Sequence, residues 1–379
     1  MPDSILILNS GSSSLRFALL EQQPDGTFMR RHRGHYGDLG HAGALDAVLQ
    51  QVDALPETAR LVAVGHRIVH GGVEHSAPAV LDAALLERLK GLIPLAPLHQ
   101  PQALAAVEQL AALHPGLLQV ACFDTAFHRT MPWHEQRLAL PATLHAAGVQ
   151  RFGFHGLSYE FIVRKLPELW GERAGGRIVA AHLGQGSSLC GLHGLTSQAT
   201  SMGFTPLDGV PMATRCGALD AAVPLYLADR GMSTAEIRAV LHQQSGLLGI
   251  SGSSGDMRAL LADPRAAARK AVDYYCHHVA RAIASLAGAI GGLDAIVFTG
   301  GIGEHAPQVR AGIVARCAWL GAQLEPAANA AADPGDGAAC ITRAGSAVHA
   351  WVVATDEEAV IARHTVQAHL EKRGHAAQT

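Results

Sequence analysis

Apolar residues recur along this chain with two periods, and the switches between them mark alternating strands and helices. Short apolar runs such as ILIL (5–8), VACF (120–123) and AIVF (295–298) have strand length, and each leads into a polar or glycine-containing stretch. ALDAVLQQVDAL (44–55), LLERLKGLI (85–93), PQALAAVEQLAAL (101–113) and AAARKAVDYYCHHVARAIASLAGAI (266–290) instead carry apolar residues three and four positions apart. That spacing gives a helix one buried face. From Pro334 to Gly345 the tail reads as a glycine-rich loop and strand, followed by the apolar strand HAWVVA and a final helix. Alternating strands and helices predict an α/β fold.

The pattern repeats. ILILNSGSSSLRFALL (5–20) is a strand, a glycine-serine turn and a second strand, and IVAAHLGQGSSLCGL (178–192) has the same form. Gly11 and Gly186 correspond at an offset of 175 residues, and so do Phe123 of QVACFDTAFH and Phe298 of DAIVFTGGIG. A shared offset predicts two lobes of similar fold around a central cleft. Residues 1–150 are expected to form the first lobe and 151–355 the second. The last helix, about 356–379, is expected to return to the first lobe.

Composition narrows the chemistry. The formal net charge is −3, so no broad basic field invites nucleic acid or an anionic membrane. Of the 29 basic residues only four are lysine (Lys90, Lys165, Lys270, Lys372), which disfavours a lysine-centred mechanism. No run of about 18 uncharged apolar residues appears, so no membrane span is expected. The N-terminus carries no secretory pattern, and the six scattered cysteines suit reduced thiols in a cytoplasmic protein.

Glycine-serine turns between strands present backbone N–H groups and hydroxyls to phosphate, although they are also common hairpin turns. Asn9 stands at the end of the first strand, and a third glycine loop, TGGIGE (299–304), follows a later one. A P-loop is excluded because no Gly-Lys pair occurs; GQGSSL lacks the third glycine of a dinucleotide fingerprint. Arg67 and Arg215 sit in apolar surroundings and need anionic partners, either a tertiary salt bridge or a bidentate grip on carboxylate or phosphate. Asp124 follows the strand VACF directly, where it either caps a turn or holds Mg2+. In ATDEEAVIAR (354–363), Thr355 and Glu358 read as a capping box, leaving Glu357 for a metal. No zinc-ligand spacing is present among the 22 histidines.

Taken together, LNSGSSSLRF, VGHRIVHGG, PLAPLHQP, FDTAFHRTMP, RFGFHGLS, HLGQGSS, SGLLGISG, VFTGGIGE and TDEEAVIAR resemble the acetate kinase family in content and order over nearly the whole chain. The resemblance implies a duplicated ribonuclease-H-like fold of the actin, Hsp70 and sugar kinase superfamily. It also implies a homodimer that moves the γ-phosphoryl group of ATP reversibly to acetate, giving acetyl phosphate and ADP, with Mg2+ as cofactor and Mn2+ able to substitute. By position, Asn9, Arg67, Asp124, His155 and Arg215 would be catalytic, with Asn9 and Glu357 at the metal. Ser12, Ser14, Arg16, His182, Gly184 and Gly186 would hold phosphate. Asp256, Met257, Arg258, Gly301, Ile302 and Gly303 would flank the nucleotide, and Val69, Leu98, Phe154 and Pro206 would line the pocket for the acid.

Four positions depart from the family pattern: Gln185 replaces Asn, Ala213 replaces Gly, Ala218 replaces Asp, and His305 replaces Asn. The change at 218 bears on how Arg215 is oriented, and the others on nucleotide preference. A propionate or other short-chain acid kinase is the nearest alternative reading, followed by a sugar or polyol kinase. An ATP-driven binding module of the Hsp70 type would need a further substrate domain.

Overall fold

The computed structural model describes residues 2–11, 14–37, 40–53, 60–333, 335 and 337–376. Ser12, Ala54, Leu55 and Pro334, on which expectations above fall, lie outside the described residues. The chain separates into two compact units, one of Met1–Phe127, Gly156–Phe161 and Asp356–Thr379, the other of His128–His155 and Ile162–Thr355.

The first unit contains β1 (Asp3–Ser10), β2 (Leu15–Gln22), β3 (Phe28–Tyr36), β4 (Arg60–Ile68), β5 (Ala79–Val80) and β6 (Leu118–Phe123). They form one sheet in the order β3-β2-β1-β4-β6-β5. β1, β4 and β6 run parallel, while β2, β3 and β5 pair antiparallel with their neighbours. The second unit contains β7 (Ile178–Leu183), β8 (Ser187–His193), β9 (Thr196–Thr200), β10 (Ala295–Thr299), β11 (Ala338–Cys340) and β12 (His349–Val353). Their order, β9-β8-β7-β10-β12-β11, repeats the first sheet strand for strand.

This topology corrects one sequence correspondence. Gly11 and Gly186 occupy equivalent turns, β1–β2 and β7–β8, but Phe123 ends β6 whereas Phe298 lies in β10, the counterpart of β4. Both are central parallel strands buried along their whole length. Such strands read as continuous apolar runs and cannot be told apart by pattern.

A second difference concerns residues 128–150, expected in the first lobe but grouped with the second unit. Their hydrogen bonds explain this. Thr130 donates to the Ser197 carbonyl, Arg151 N–H to Gln136, and Phe152 N–H to Gly203.

The helix Glu357–Ala376 belongs to the first unit and packs across β4, β1 and β6. Val360, Ile361 and Ala362 join a core with Ile5, Ile7, Ala63, Leu118 and Val120. Close approach is possible because β4 carries Gly65: a Cβ there would collide with Thr365 Oγ1 and stand 2.7 Å from Ile361 Cγ2. At the other end of β1, buried Asp3 accepts from Arg60 at 2.7 Å and from Arg373 of the helix at 3.1 Å. In the second unit, the helix Ala266–Ala289 buries Ala268, Ala271, Tyr275, Val279, Ile283 and Leu286 at helical spacing, against a core that includes Val179 and Phe298.

Burial lowers the pKa of His66, His70 and His128 to about 4. Each is neutral when folded and titrates near its ordinary value of 6.5 when unfolded, so the unfolded chain binds more protons between those values. Their contribution is therefore complete above pH 6.5 and declines as pH falls towards 4. Thermal melts across that window should show falling stability, and His66→Gln should flatten the decline.

Candidate functional site

Because β1, β4 and β6 are adjacent and parallel, their carboxyl ends lie side by side, the usual position for ligand-binding groups in α/β sheets. Asn9 stands near the end of β1, Arg67 near the end of β4, and Asp124 directly after β6. Arg67 donates to Asp124 Oδ2 from Nη2 at 2.7 Å and from Nε at 3.1 Å, and to Asn9 Oδ1 from Nη1 at 3.2 Å. Asn9 Nδ2 in turn donates to Glu357 Oε2 at 2.9 Å and Glu358 Oε1 at 2.7 Å. Glu357 lies 3.5 Å from Arg67 Nη1.

Asn9, Asp124 and Glu357 are all buried. Burial by itself lowers the Arg67 pKa, but the charges of Asp124 and Glu357 outweigh it and raise the value. Glu358 is shifted upwards, first by burial and then by the charge of Glu357. Three carboxylates thus gather around one guanidinium.

The expected capping box is broken on its Glu358 side. Asp356, not Thr355, receives the Ala359 N–H at 2.9 Å, while the Thr355 N–H goes to Glu304 at 3.2 Å. Glu358 is thereby released to Asn9. The sequence reading missed it because an acid three residues after a threonine has a sufficient local explanation. Its signal was the adjacent acid pair itself.

In the second unit the β7–β8 turn, Gly184–Gly186, is closed by a hydrogen bond from Gly184 N–H to Ser187 Oγ at 3.2 Å. His182 of β7 stacks on His155 with ring centroids 4.3 Å apart, and His155 Nδ1 lies 2.8 Å from Ser188 Oγ. Arg215 is buried, and its Nη1 donates to the Pro206 carbonyl at 2.7 Å. A Cβ added at Gly186 would stand 2.8 Å from Arg215 Nη2 and 3.3 Å from His155 Nε2. Arg215 and His155 therefore border one stretch of bare backbone.

The departures at 213, 218 and 185 meet backbone partners. Ala213 N–H donates to the Gln185 carbonyl at 3.3 Å and Ala218 N–H to the Gly209 carbonyl at 2.7 Å.

Asp256 caps the helix Met257–Ala262, accepting from Arg258 N–H and Ala259 N–H; Met257 is buried and the Arg258 side chain is 93% exposed. Gly301, Ile302 and Gly303 were expected in a loop but belong to the helix Gly300–His305 directly after β10. Glu304 causes this by folding back to accept the Gly300 N–H at 2.8 Å. Gly300 adopts φ +75°, and a Cβ there would lie 2.8 Å from the Leu183 carbonyl oxygen.

In the first hairpin Gly11 N–H donates to the Ser14 carbonyl at 2.8 Å, and Arg16 is exposed opposite Asn9 in the strand register. Of the apolar residues assigned to the acid pocket, Val69 is buried and Leu98 half-buried in the first unit; Phe154 and Pro206 are buried in the second.

The profile of the acetokinase family matches residues 31–363. The chain belongs to that family. It is 44% identical to the acetate kinase of Rhodopseudomonas palustris (strain TIE-1), covering 96% of this chain and 98% of that one. With the acetate kinase of Methylocella silvestris the identity is 42%, over 97% and 98%. A propionate kinase structure from Francisella tularensis subsp. tularensis SCHU S4 superposes with a TM-score of 0.83 at 34% identity, covering 96% of this chain and 99% of that one. The acetate kinase structure from Entamoeba histolytica gives 0.81 at 32% identity, over 95% and 98%. The two mixed sheets are thus the duplicated ribonuclease-H-like fold, and family membership makes the chain a kinase that phosphorylates a carboxylate.

Gly186→Ala should keep the fold but displace Arg215 or His155, lowering turnover about 100-fold, since roughly 1 Å of misplacement costs that much. Steady-state assay of the folded variant checks this.

Proposed function

We propose that this protein is an acetate kinase, transferring the γ-phosphoryl group of ATP reversibly to acetate to give acetyl phosphate and ADP. The observation that carries this reading is the buried Asn9–Arg67–Asp124–Glu357 cluster at the carboxyl ends of three parallel strands, in a chain of the acetokinase family.

A carboxylate is already a nucleophile, so no strong base is needed. Catalysis is the placing of two anions in line and the neutralising of charge on the transferring group. Arg67 and Arg215 supply planar forks for carboxylate and phosphoryl oxygens. His155, Asn9 and His182 add donors, and Asp124 orients Arg67 through two hydrogen bonds. Direct in-line transfer follows, without a phosphorylated enzyme. Ser12, Ser14, Arg16 and the glycines at 184 and 186 are assigned to the phosphates, and Asp256 to Arg258 with Gly301 to Gly303 to the nucleotide. Val69, Leu98, Phe154 and Pro206 are assigned to the acid's methyl group.

The donor set of the first unit fits Mg2+. Asn9, Glu357 and Glu358 offer hard oxygen atoms, and the Glu358 pKa is raised first by burial and then by the charge of Glu357. Among the described residues no three His, Cys, Asp or Glu side chains form a complete metal site. Asn9 and Glu357, with Glu358 beside them, would hold a magnesium ion, which would supply neutralisation of phosphoryl charge.

A homodimer is supported by the helix Ala222–Asp229, which is apolar yet buries none of its residues; Leu219, Leu225 and Tyr226 are exposed. Six free cysteines agree with a cytoplasmic location. No described helix is long and apolar enough to cross a membrane.

Purified protein with Mg-ATP and hydroxylamine tests the reaction. Mg-dependent hydroxamate, strongest with acetate in a series with propionate, butyrate and glycerol, is the expected result; no hydroxamate with any acid would reject it. A maximum at propionate would shift the assignment to the neighbouring acid, since one methylene is worth only about 1–3 kcal/mol. Arg67→Ala and Arg215→Ala should each lower turnover by about two orders of magnitude or more with the fold retained. Leu225→Glu with Tyr226→Glu should halve the mass measured by light scattering.

A further inference from the structure

Behind the Phe154–His155 peptide lies a buried polar relay that the proposed reaction does not use. His128, Ser197 and Cys190 are all fully buried. His128 Nε2 is 2.9 Å from the Phe154 carbonyl oxygen, His128 Nδ1 is 2.9 Å from Ser197 Oγ, and Cys190 Sγ is 3.3 Å from Ser197 Oγ.

Chemistry fixes the direction of every bond. A carbonyl only accepts, so His128 Nε2 carries the proton. Burial lowers the His128 pKa to about 4, more than the Phe154 bond raises it, so the ring is neutral and Nδ1 accepts from the Ser197 hydroxyl. Ser197 then accepts from the Cys190 thiol, which burial keeps protonated by raising its pKa to about 12.

The carbonyl that His128 holds belongs to the peptide joining Phe154 to His155. His155 adopts φ +59° and ψ +26°, a left-handed conformation that costs a non-glycine residue about 1–2 kcal/mol. The His128 ring also lies against Gly153, φ +75°, where a Cβ would stand 2.6 Å from the ring. One imidazole therefore grips both residues that precede His155.

We propose that His128 is a positioning residue for His155: anchored by Ser197 and Cys190, it fixes the Phe154–His155 peptide and so aims the His155 ring along Gly186 beside Arg215. This rests on the reading of His155 as a phosphoryl-binding group.

The test is a double-mutant cycle on the full chain, measuring kcat and KM by hydroxamate formation, with folding followed by circular dichroism. His128→Leu should lower kcat about 100-fold and change KM for ATP by less than about threefold. His128→Gln, whose amide can still donate to Phe154, should recover at least about tenfold of that loss. In a His155→Ala background, His128→Leu should cost less than about threefold, because its target is gone. Equal losses in both backgrounds, or normal kcat in a folded His128→Leu protein, would overturn the proposal. Should His128→Leu fail to fold, Ser197→Ala serves in the same cycle; it removes the donor to Nδ1, and an equal loss with and without His155 is again fatal. Normal turnover of His155→Ala alone would show that the reading of His155 has failed, leaving His128 nothing to position.

Discussion

One buried guanidinium sets the terms for the first unit. Arg67 cannot leave water without counter-charge, and Asp124 supplies it through hydrogen bonds to Nε and Nη2. The carboxylate is available only because β4 and β6 are parallel neighbours that end together. Glu357 and Glu358 then bring more negative charge than Arg67 can balance, and Asn9 reconciles the two sets. Its Oδ1 accepts from the cation while its Nδ2 donates to both acids. An aspartate at position 9 would enlarge the surplus charge, and a leucine would strand three polar groups. The surplus favours a cation, and the guanidinium fork favours an anion.

The same strand order carries different chemistry in the second unit. There the equivalent strand ends present His182 and Thr299 in register, followed by glycines at 184, 186 and 300. Bare backbone suits an extended polyanion, because each missing Cβ lets another group approach. Gly186 admits Arg215 and His155, and Gly300 admits the Leu183 carbonyl. Duplication thus gave two sheets of the same strand order, and the side chains at their strand ends diverged into a charged cluster and a glycine-lined one.

Much of this was legible in the sequence because it depends on local chemistry. The glycine-serine hairpins, the helix 266–289 and the isolated arginines all announced themselves through period or through an unmet need for a partner. Three features were misread for one physical reason: several tertiary arrangements share a local pattern. A fully buried strand reads alike whether it is the fourth or the fifth in the ladder, so Phe123 and Phe298 looked equivalent. Glu358 looked like a cap because Thr355 precedes it by three residues, although Glu304 and Asn9 claim the two groups. Gly301 to Gly303 looked like a loop, yet the Glu304 carboxylate turns them into helix. The first two outcomes were decided by partners distant in sequence, the third by a side chain four residues on from Gly300.

His128 is the extreme case, since nothing local separates it from the other histidines. Its meaning arises only when Phe154, Ser197 and Cys190 are brought around it. A charged side chain could have braced the same peptide, but at a cost. A lysine or arginine there would need a buried counter-ion, and its field would act on Arg215 and the phosphoryl group as well. A neutral imidazole between a carbonyl and a hydroxyl gives the same rigidity with no net charge. A serine and a thiol behind it complete the hydrogen bonding without reaching solvent. Positive charge in this unit can then be reserved for groups such as Arg215, where Gly186 leaves backbone bare. The neutrality of the brace is thus as much a requirement as its geometry.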